Sequence, residues 1–245
     1  NVEPWTILAE GQNVWVGTIK SGLWLSEQGQ PFQQMTTGSI ASIEKVGERI
    51  WVGLPDGRIL DARSHREIVR IEGGFASTIA ALDQNRAFLT IISPTRKAHP
   101  FQVFNDGELT EVTKLRVDED GGFIGPTGAW SLRNGQALVG SFRRGPLRWD
   151  GKLSVARTGF HATVSGGGAL DKWGRLVMAF MGTGVYRWQN GEIYPHPMEG
   201  PVTDSIAVKS VLGQIVVLDF EGINLLDEEG EWRRVDSVPD KGKRI

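Results

Sequence analysis

Asn13-Val-Trp-Val-Gly-Thr-Ile-Lys-Ser-Gly-Leu-Trp-Leu25 decides how this chain is read, because the same phrase is written again along its length. It is an apolar strand, a small residue, a polar turn ending in glycine, then a second strand. Arg49-Ile-Trp-Val-Gly-Leu-Pro-Asp-Gly-Arg-Ile-Leu60 repeats it, as do Ala137 to Trp149, Leu176 to Trp188 and Ile215 to Leu226. A degraded copy, Ala87-Phe-Leu-Thr-Ile-Ile92, has its turn swollen to Ser93-Pro-Thr-Arg-Lys-Ala-His-Pro100. The turn glycines stand at 22, 57, 145, 184 and 222, with Pro100 in the third copy, so successive gaps are 35, 43, 45, 39 and 38 residues. Repeats of that length fix the architecture before any single residue is read, and this one has the size of a four-stranded propeller blade.

Working outward, each copy divides into four strands, A to D. The blades are expected over about 5–36, 38–73, 75–114, 127–159, 166–197 and 203–237, with 238–245 a polar tail or linker. Asn105-Asp-Gly107, Asp150-Gly151, Asn190-Gly191 and Glu229-Gly230 recur at matching places between strands C and D. Such pairs are strong hairpin signals because both residues accept a left-handed backbone. Ala41-Ser42, Ala80-Ala81, Ser131, Ala169 and Ala207 keep the innermost strands slim where they converge on an axis. Trp15, Trp24, Trp51, Trp149 and Trp188 lie on strands B and C, where the wedge between blades is wider. No helical period persists anywhere. The expectation is an all-β propeller of four-stranded antiparallel blades, six of them, each complete in chain order. A count of seven or an incomplete ring stays open.

Composition agrees. The 245 residues can hold one all-β domain with a substantial core. Nine tryptophans, ten phenylalanines and 40% apolar residues fit a packed protein, and 32 glycines fit one made of tight turns. A net charge of −2, from 27 basic and 29 acidic residues, argues against nucleic acid as partner. The lack of cysteine rules out disulfides, thiolate catalysis and cysteine-bound zinc. No apolar run reaches the length of a membrane span, so no direct membrane insertion is expected of this segment. The opening Asn1-Val-Glu-Pro4 reads as a processed or excised start.

The repeat resembles that of two-component-regulator propellers, best at Val14-Trp-Val-Gly-Thr18 with Gly22-Leu-Trp-Leu25, then at Ile50-Trp-Val-Gly53. Gly184-Val-Tyr-Arg-Trp188 and Pro146-Leu-Arg-Trp149 match its second half. The resemblance implies an extracytoplasmic, periplasmic or secreted, ligand-sensing module of a bacterial signalling protein. Fold residues carry it, and fold alone does not transmit function.

In a propeller, the B–C turns and the D–A connections lie on one face, around the channel mouth. Lys20, Arg96, Lys97, His99, Arg143 and Arg144 are expected there, opposed by Asp56 and Glu221. Such a cationic rim suits an anionic ligand, since arginine offers paired hydrogen bonds to a carboxylate; solvent exposure alone would also leave turns charged. His161 lies in one long D–A connection, residues 157–168, whose glycines 166–168 read as a flexible turn. Asp118, Glu119 and Asp120 in the other lack the spacing of a calcium loop. Asp219 ends a strand B and is placed to face the mouth, and Trp130, read as the start of an inner strand, is a candidate stacking platform. No histidines pair at metal-ligand spacing, no nucleophile elbow occurs, and no cofactor is expected. The reading is a non-enzymatic module for a small-molecule or oligosaccharide ligand. The alternatives are a propeller lyase or lactonase using a metal or histidine at the mouth, and a scaffold for another protein domain.

Overall fold

The computed structural model describes residues 4–95, 101–112, 126–132, 134–141, 146–156, 164–180, 184–189, 192–195, 205–211, 214–219, 222–226 and 231–237. Every regular element among them is a strand. Blade 1 is β1 Pro4–Glu10, β2 Asn13–Thr18, β3 Leu23–Ser26 and β4 Gln33–Gln34; blade 2 is β5 Ser42–Val46, β6 Arg49–Gly53, β7 Arg58–Asp61 and β8 Glu67–Arg70. Blade 3 is β9 Phe75–Ala81, β10 Arg86–Ile92, β11 Phe101–Asn105 and β12 Glu108–Glu111; blade 4 is β13 Pro126–Leu132, β14 Gln136–Ser141, β15 Leu147–Trp149 and β16 Leu153–Val155. Blade 5 is β17 Val164–Leu170, β18 Leu176–Phe180, β19 Gly184–Gln189 and β20 Glu192–Pro195; blade 6 is β21 Ser205–Val211, β22 Gln214–Asp219, β23 Gly222–Leu226 and β24 Trp232–Ser237. Each set forms a four-stranded sheet in chain order. Among the described residues six complete blades are therefore present, and no strand is lent from one to another.

The hairpins form where turn chemistry asks for them. Asn105 pairs with Glu108 across Asp106 and Gly107, whose φ values are +47° and +100°. Two central residues with positive φ give the turn whose twist matches the flanking strands. Elsewhere an aspartate ties the turn. Asp83 accepts the backbone N–H groups of Asn85 and Arg86 and the Arg86 guanidinium; Asp171 does the same for Trp173 and Arg175.

The chain falls into two units, Asn1–Val139 with Arg148–Leu153, and Gly140–Leu147 with Ser154–Ile245. In the first, β1 packs on β5, β5 on β9 and β9 on β13, so strand A of each blade meets strand A of the next. These are the slim strands. Ser42 Oγ donates to the Ala76 carbonyl at 2.9 Å and Ser131 Oγ to that of Ala81 at 2.6 Å, stitching inner strand to inner strand. Farther out the wedges widen and fill with large rings. Trp15 is packed with Leu23, Leu25, Ile40, Ile43, Ile50 and Val52 between blades 1 and 2. Trp51 lies with Ile59, Ala76, Leu89 and Phe104 between blades 2 and 3, its ring edge-on to Phe104 at 5.0 Å. Both tryptophans are inter-blade core, as their place in the repeat implies. In the second unit, β17 packs on β21, and Val177, Val185, Val208, Ile215, Val217 and Leu226 form the core.

One expectation is corrected here. Glycines 166–168 are not a turn but part of β17, where the pairing with β18 shifts between Val164 and Gly168. Glycine inside a strand commonly marks such a bulge or a close backbone approach. At Gly167 (φ +99°) an added Cβ would stand 3.7 Å from the backbone of Val208 on the neighbouring inner strand.

Candidate functional site: the mouth face of blades 1 to 3

Strands A and B run antiparallel, so the start of A and the end of B share one rim with the B–C turn and the preceding D–A connection. On that rim the first three blades build a shallow depression of about 310 Å³, lined by Trp5, Ile19, Ser39, Ile40, Ala41, Pro55, Phe75, Ser77 and Ile92. Two of these side chains are placed by irregularities in strand A. Pairing of β1 with β2 passes from Pro4–Thr18 to Thr6–Gly17, leaving Trp5 as an unpaired extra residue. Pairing of β9 with β10 likewise skips Ser77. A bulge re-aims the side chain it carries, here toward the mouth.

The surface so made is apolar. Trp5 is 64% exposed, Ile92 44% and Ile19 40%, while Phe75 is half-buried between them. The nearby polar groups are turned inward. Trp5 Nε1 donates to the Ala41 carbonyl at 3.2 Å, which fixes the indole plane; Ser77 Oγ donates to the Thr90 carbonyl at 3.2 Å; Ser39 Oγ donates to the Ile19 carbonyl. Charge stands at the edge. Lys20 follows Ile19 in the blade 1 turn and is exposed. Asp56, in the blade 2 turn, is held below the usual carboxylate range by the Arg58 guanidinium, 2.7 Å away, despite opposing partial burial. It is thus satisfied within its own hairpin. A ligand seated here would meet a fixed aromatic plane and aliphatic walls, the arrangement that recognises the apolar face of a ring.

Of the residues singled out from sequence, Lys20 stands on this rim. Arg96, Lys97, His99, Arg143, Arg144 and His161 lie outside the described residues, as does the acidic run 118–120. Asp219 is the last residue of β22, paired with Ser205, hence at the mouth end of blade 6. Trp130 requires a correction. It is the fifth residue of β13, not its first, so it sits about 13 Å along the strand from the mouth end. Its ring folds back over Gly128, where an added Cβ would come within 2.9 Å of Cζ2, and it is half-buried. It does not stand at the rim; Trp5 does. In the sequence, Trp5 is simply the first residue of the blade expected over 5–36. The available signal was a large aromatic at the head of strand A, where slim residues are the rule.

No family model matches the chain, and no curated protein matches it in sequence. Solved structures do match in shape. The extracellular domain of BT4673 from B. thetaiotaomicron, described as a hybrid two-component system protein, superposes with a TM-score of 0.68 at 14% identity over 97% of this chain. The fold is a six-bladed β-propeller. The propeller spans only 34% of that domain's length. The WD40 propeller domain of Doa1 superposes at 0.70 with 14% identity, covering 98% of this chain and 84% of that one. A virginiamycin B lyase from Staphylococcus aureus, solved with quinupristin, gives 0.61 at 11% identity, covering 95% and 84%. At 11–14% identity, likeness to three such unlike proteins shows the architecture alone.

Proposed function

We propose that this propeller is a ligand-recognition module, the sensing part of an extracytoplasmic signalling protein, and that its ligand docks at the mouth through the Trp5 platform. The observation that carries the reading is the contiguous apolar surface of Trp5, Ile19, Phe75 and Ile92. Exposed apolar patches rimmed by polar residues mark binding surfaces. The likeness to an extracellular two-component domain supports the extracytoplasmic assignment. A sugar ring, with one apolar face for Trp5 and an acidic group for the cationic turns foreseen around Lys20, combines both features in one ligand.

The test is a thermal-shift screen with hyaluronan and chondroitin oligosaccharides beside maltose and cellobiose. Ligand at a hundred times its Kd stabilises the native state by about 2.7 kcal/mol, a rise of about 5–10 °C for a chain of this size. Trp5→Ala should abolish the rise. Trp5 is mostly exposed and makes one hydrogen bond, so the unliganded variant should melt only about 2–4 °C lower. A rise of equal size in the variant would exclude the mouth platform.

A further inference from the structure

The repeat makes the wedge between blades 1 and 2 and the wedge between blades 2 and 3 directly comparable, and one of them lacks a part. In the first, Trp15 Nε1 donates to Glu10 Oε2 at 3.4 Å. The same carboxylate takes Lys45 Nζ at 3.3 Å and the Arg63 guanidinium at 2.9 Å, and Arg63 also lies over the Trp15 ring at 5.6 Å. The wedge is closed by this group. In the second wedge Trp51 takes the place of Trp15, and Val46, paired with Arg49 as Glu10 is with Asn13, takes the place of Glu10. Valine accepts no hydrogen bond. Trp51 is 2% exposed, and its Nε1 has no acceptor among the described residues. A buried donor left without a partner costs about 1–3 kcal/mol. The arm is missing too, because the C–D turn of blade 3 is the two-residue Asp106-Gly107 rather than the longer turn that carries Arg63. What remains is an open groove of about 720 Å³, floored by Trp51 and Phe104 and walled by Arg49, Arg66, Asp61 and Asp106. It opens on the face of the A–B and C–D turns, opposite the mouth.

We propose that this groove is a second binding site, taking a small carboxylate ligand whose acid group is held by Arg49 and Arg66 over the Trp51 and Phe104 floor, in the wedge where Glu10 has no counterpart. Neither Arg49 nor Arg66 has a carboxylate within 4 Å among the described residues, although the Arg49 charge helps to hold the Asp61 carboxyl below its ordinary range; the two supply the positive charge that Lys45 and Arg63 supply in the closed wedge. Arginine matches a carboxylate with two parallel hydrogen bonds. Glu67, also on the wall, is neutralised by Arg70 at 3.0 Å. Asp61 spends one oxygen on the backbone N–H groups of Arg63 and Ser64 and on the Ser64 hydroxyl. Its other oxygen and the exposed Asp106 favour a ligand that carries hydroxyl or ammonium donors beside its carboxylate. Hydroxy acids and amino acids share that chemistry.

The site is read by the ¹⁵N–¹H resonance of the Trp51 indole in the full chain, assigned with Trp51→Phe. Gluconate and glycine serve as the two carboxylate probes, and glucose as the neutral control. A saturable shift of the Trp51 signal by gluconate or glycine, absent with glucose and weakened at least fivefold in Arg66→Gln or Arg49→Gln, is the expected result. Gluconate against glycine tells hydroxyl from ammonium donors. The proposal is overturned if neither carboxylate moves the signal, if glucose moves it equally, or if both arginine variants bind as the parent does. Because the groove and the mouth lie on opposite faces, failure here leaves the Trp5 reading untouched.

Discussion

Gly22, the glycine that closes the repeated phrase, allows a sharp test of how the blade is built. Its φ is +85°, and a Cβ placed on it would stand 1.8 Å from the Thr36 carbonyl oxygen, 2.6 Å from its carbon and 2.9 Å from Thr37 Cα. All three are backbone atoms, so no rotamer relieves the clash. Restoring ordinary contact in Gly22→Ala requires about 1.5 Å of separation between the B–C turn and the D–A connection. That displacement strains the bonds from Met35 N to the Leu23 carbonyl (2.8 Å) and from Leu23 N to Thr36 Oγ1 (3.4 Å), and the bridge between Ser21 and Gly38. At about 1 kcal/mol for each lost bond, these amount to about 2–3 kcal/mol. Positive φ adds about 1–2 kcal/mol for an alanine, partly offset by about 0.4–1 kcal/mol from a stiffer unfolded chain. The expected loss is about 3 kcal/mol, or a fall in Tm of about 6–12 °C. Gly29→Ala is the control. Its φ is +77°, and nothing lies within 4 Å of its added Cβ, so it carries the backbone term alone. Urea denaturation followed by circular dichroism measures both variants. If the two differ by less than about 0.5 kcal/mol, backbone contact between the turn and the connection is not what reserves position 22 for glycine.

Three further outcomes are expected. Burial raises the Glu10 carboxyl, but hydrogen bonds from Trp15, Lys45 and Arg63 outweigh it and leave the group below its ordinary range. Its contribution is therefore full above the unfolded-state value and lost as pH falls through the folded-state value. Glu10→Gln should cost about 1 kcal/mol at pH 7, and urea titrations should show that gap closing in acid. Trp15→Ala, which empties the wedge between blades 1 and 2, should cost about 3–5 kcal/mol, against about 1 kcal/mol for Trp5→Ala at the exposed mouth. A double change Arg143→Ala, Arg144→Ala should weaken binding of an acidic glycan in the thermal-shift screen while moving the unliganded Tm by no more than about 2 °C; unchanged affinity would remove those cations from the proposed rim.

The blade plan could be read from the residues because its signals are short-range. Asn105-Asp-Gly107 specifies its hairpin through the dihedrals its own residues tolerate. The recurrence of Trp15 and Trp51 at one repeat position marks them as filling between blades. The candidate site was far less legible. Lys20 could be placed on the rim from turn order, but Trp130 could not be placed along its strand, because an error of a few residues at an element boundary carries a side chain from the rim into the strand. The glycines at 166–168 were misread for a related reason, since glycine permits a turn and a bulged strand alike and only the partner strand decides.

By itself, then, the sequence determined the repeat period, the four-strand order within it and the residues that fill the wedges, all properties of a period and of local turn chemistry; that there are six complete blades was decided by the structure. Only the tertiary structure decided that Trp5 and Ser77 swing to the mouth, since a bulge exists relative to a neighbouring strand. It alone joined Trp5, Ile19, Phe75 and Ile92 into one surface, and only there does the absence of an acceptor for Trp51 become visible. A surface and an unmet hydrogen bond are relations between residues distant in the chain, and the contacts that create them exist once the blades have packed.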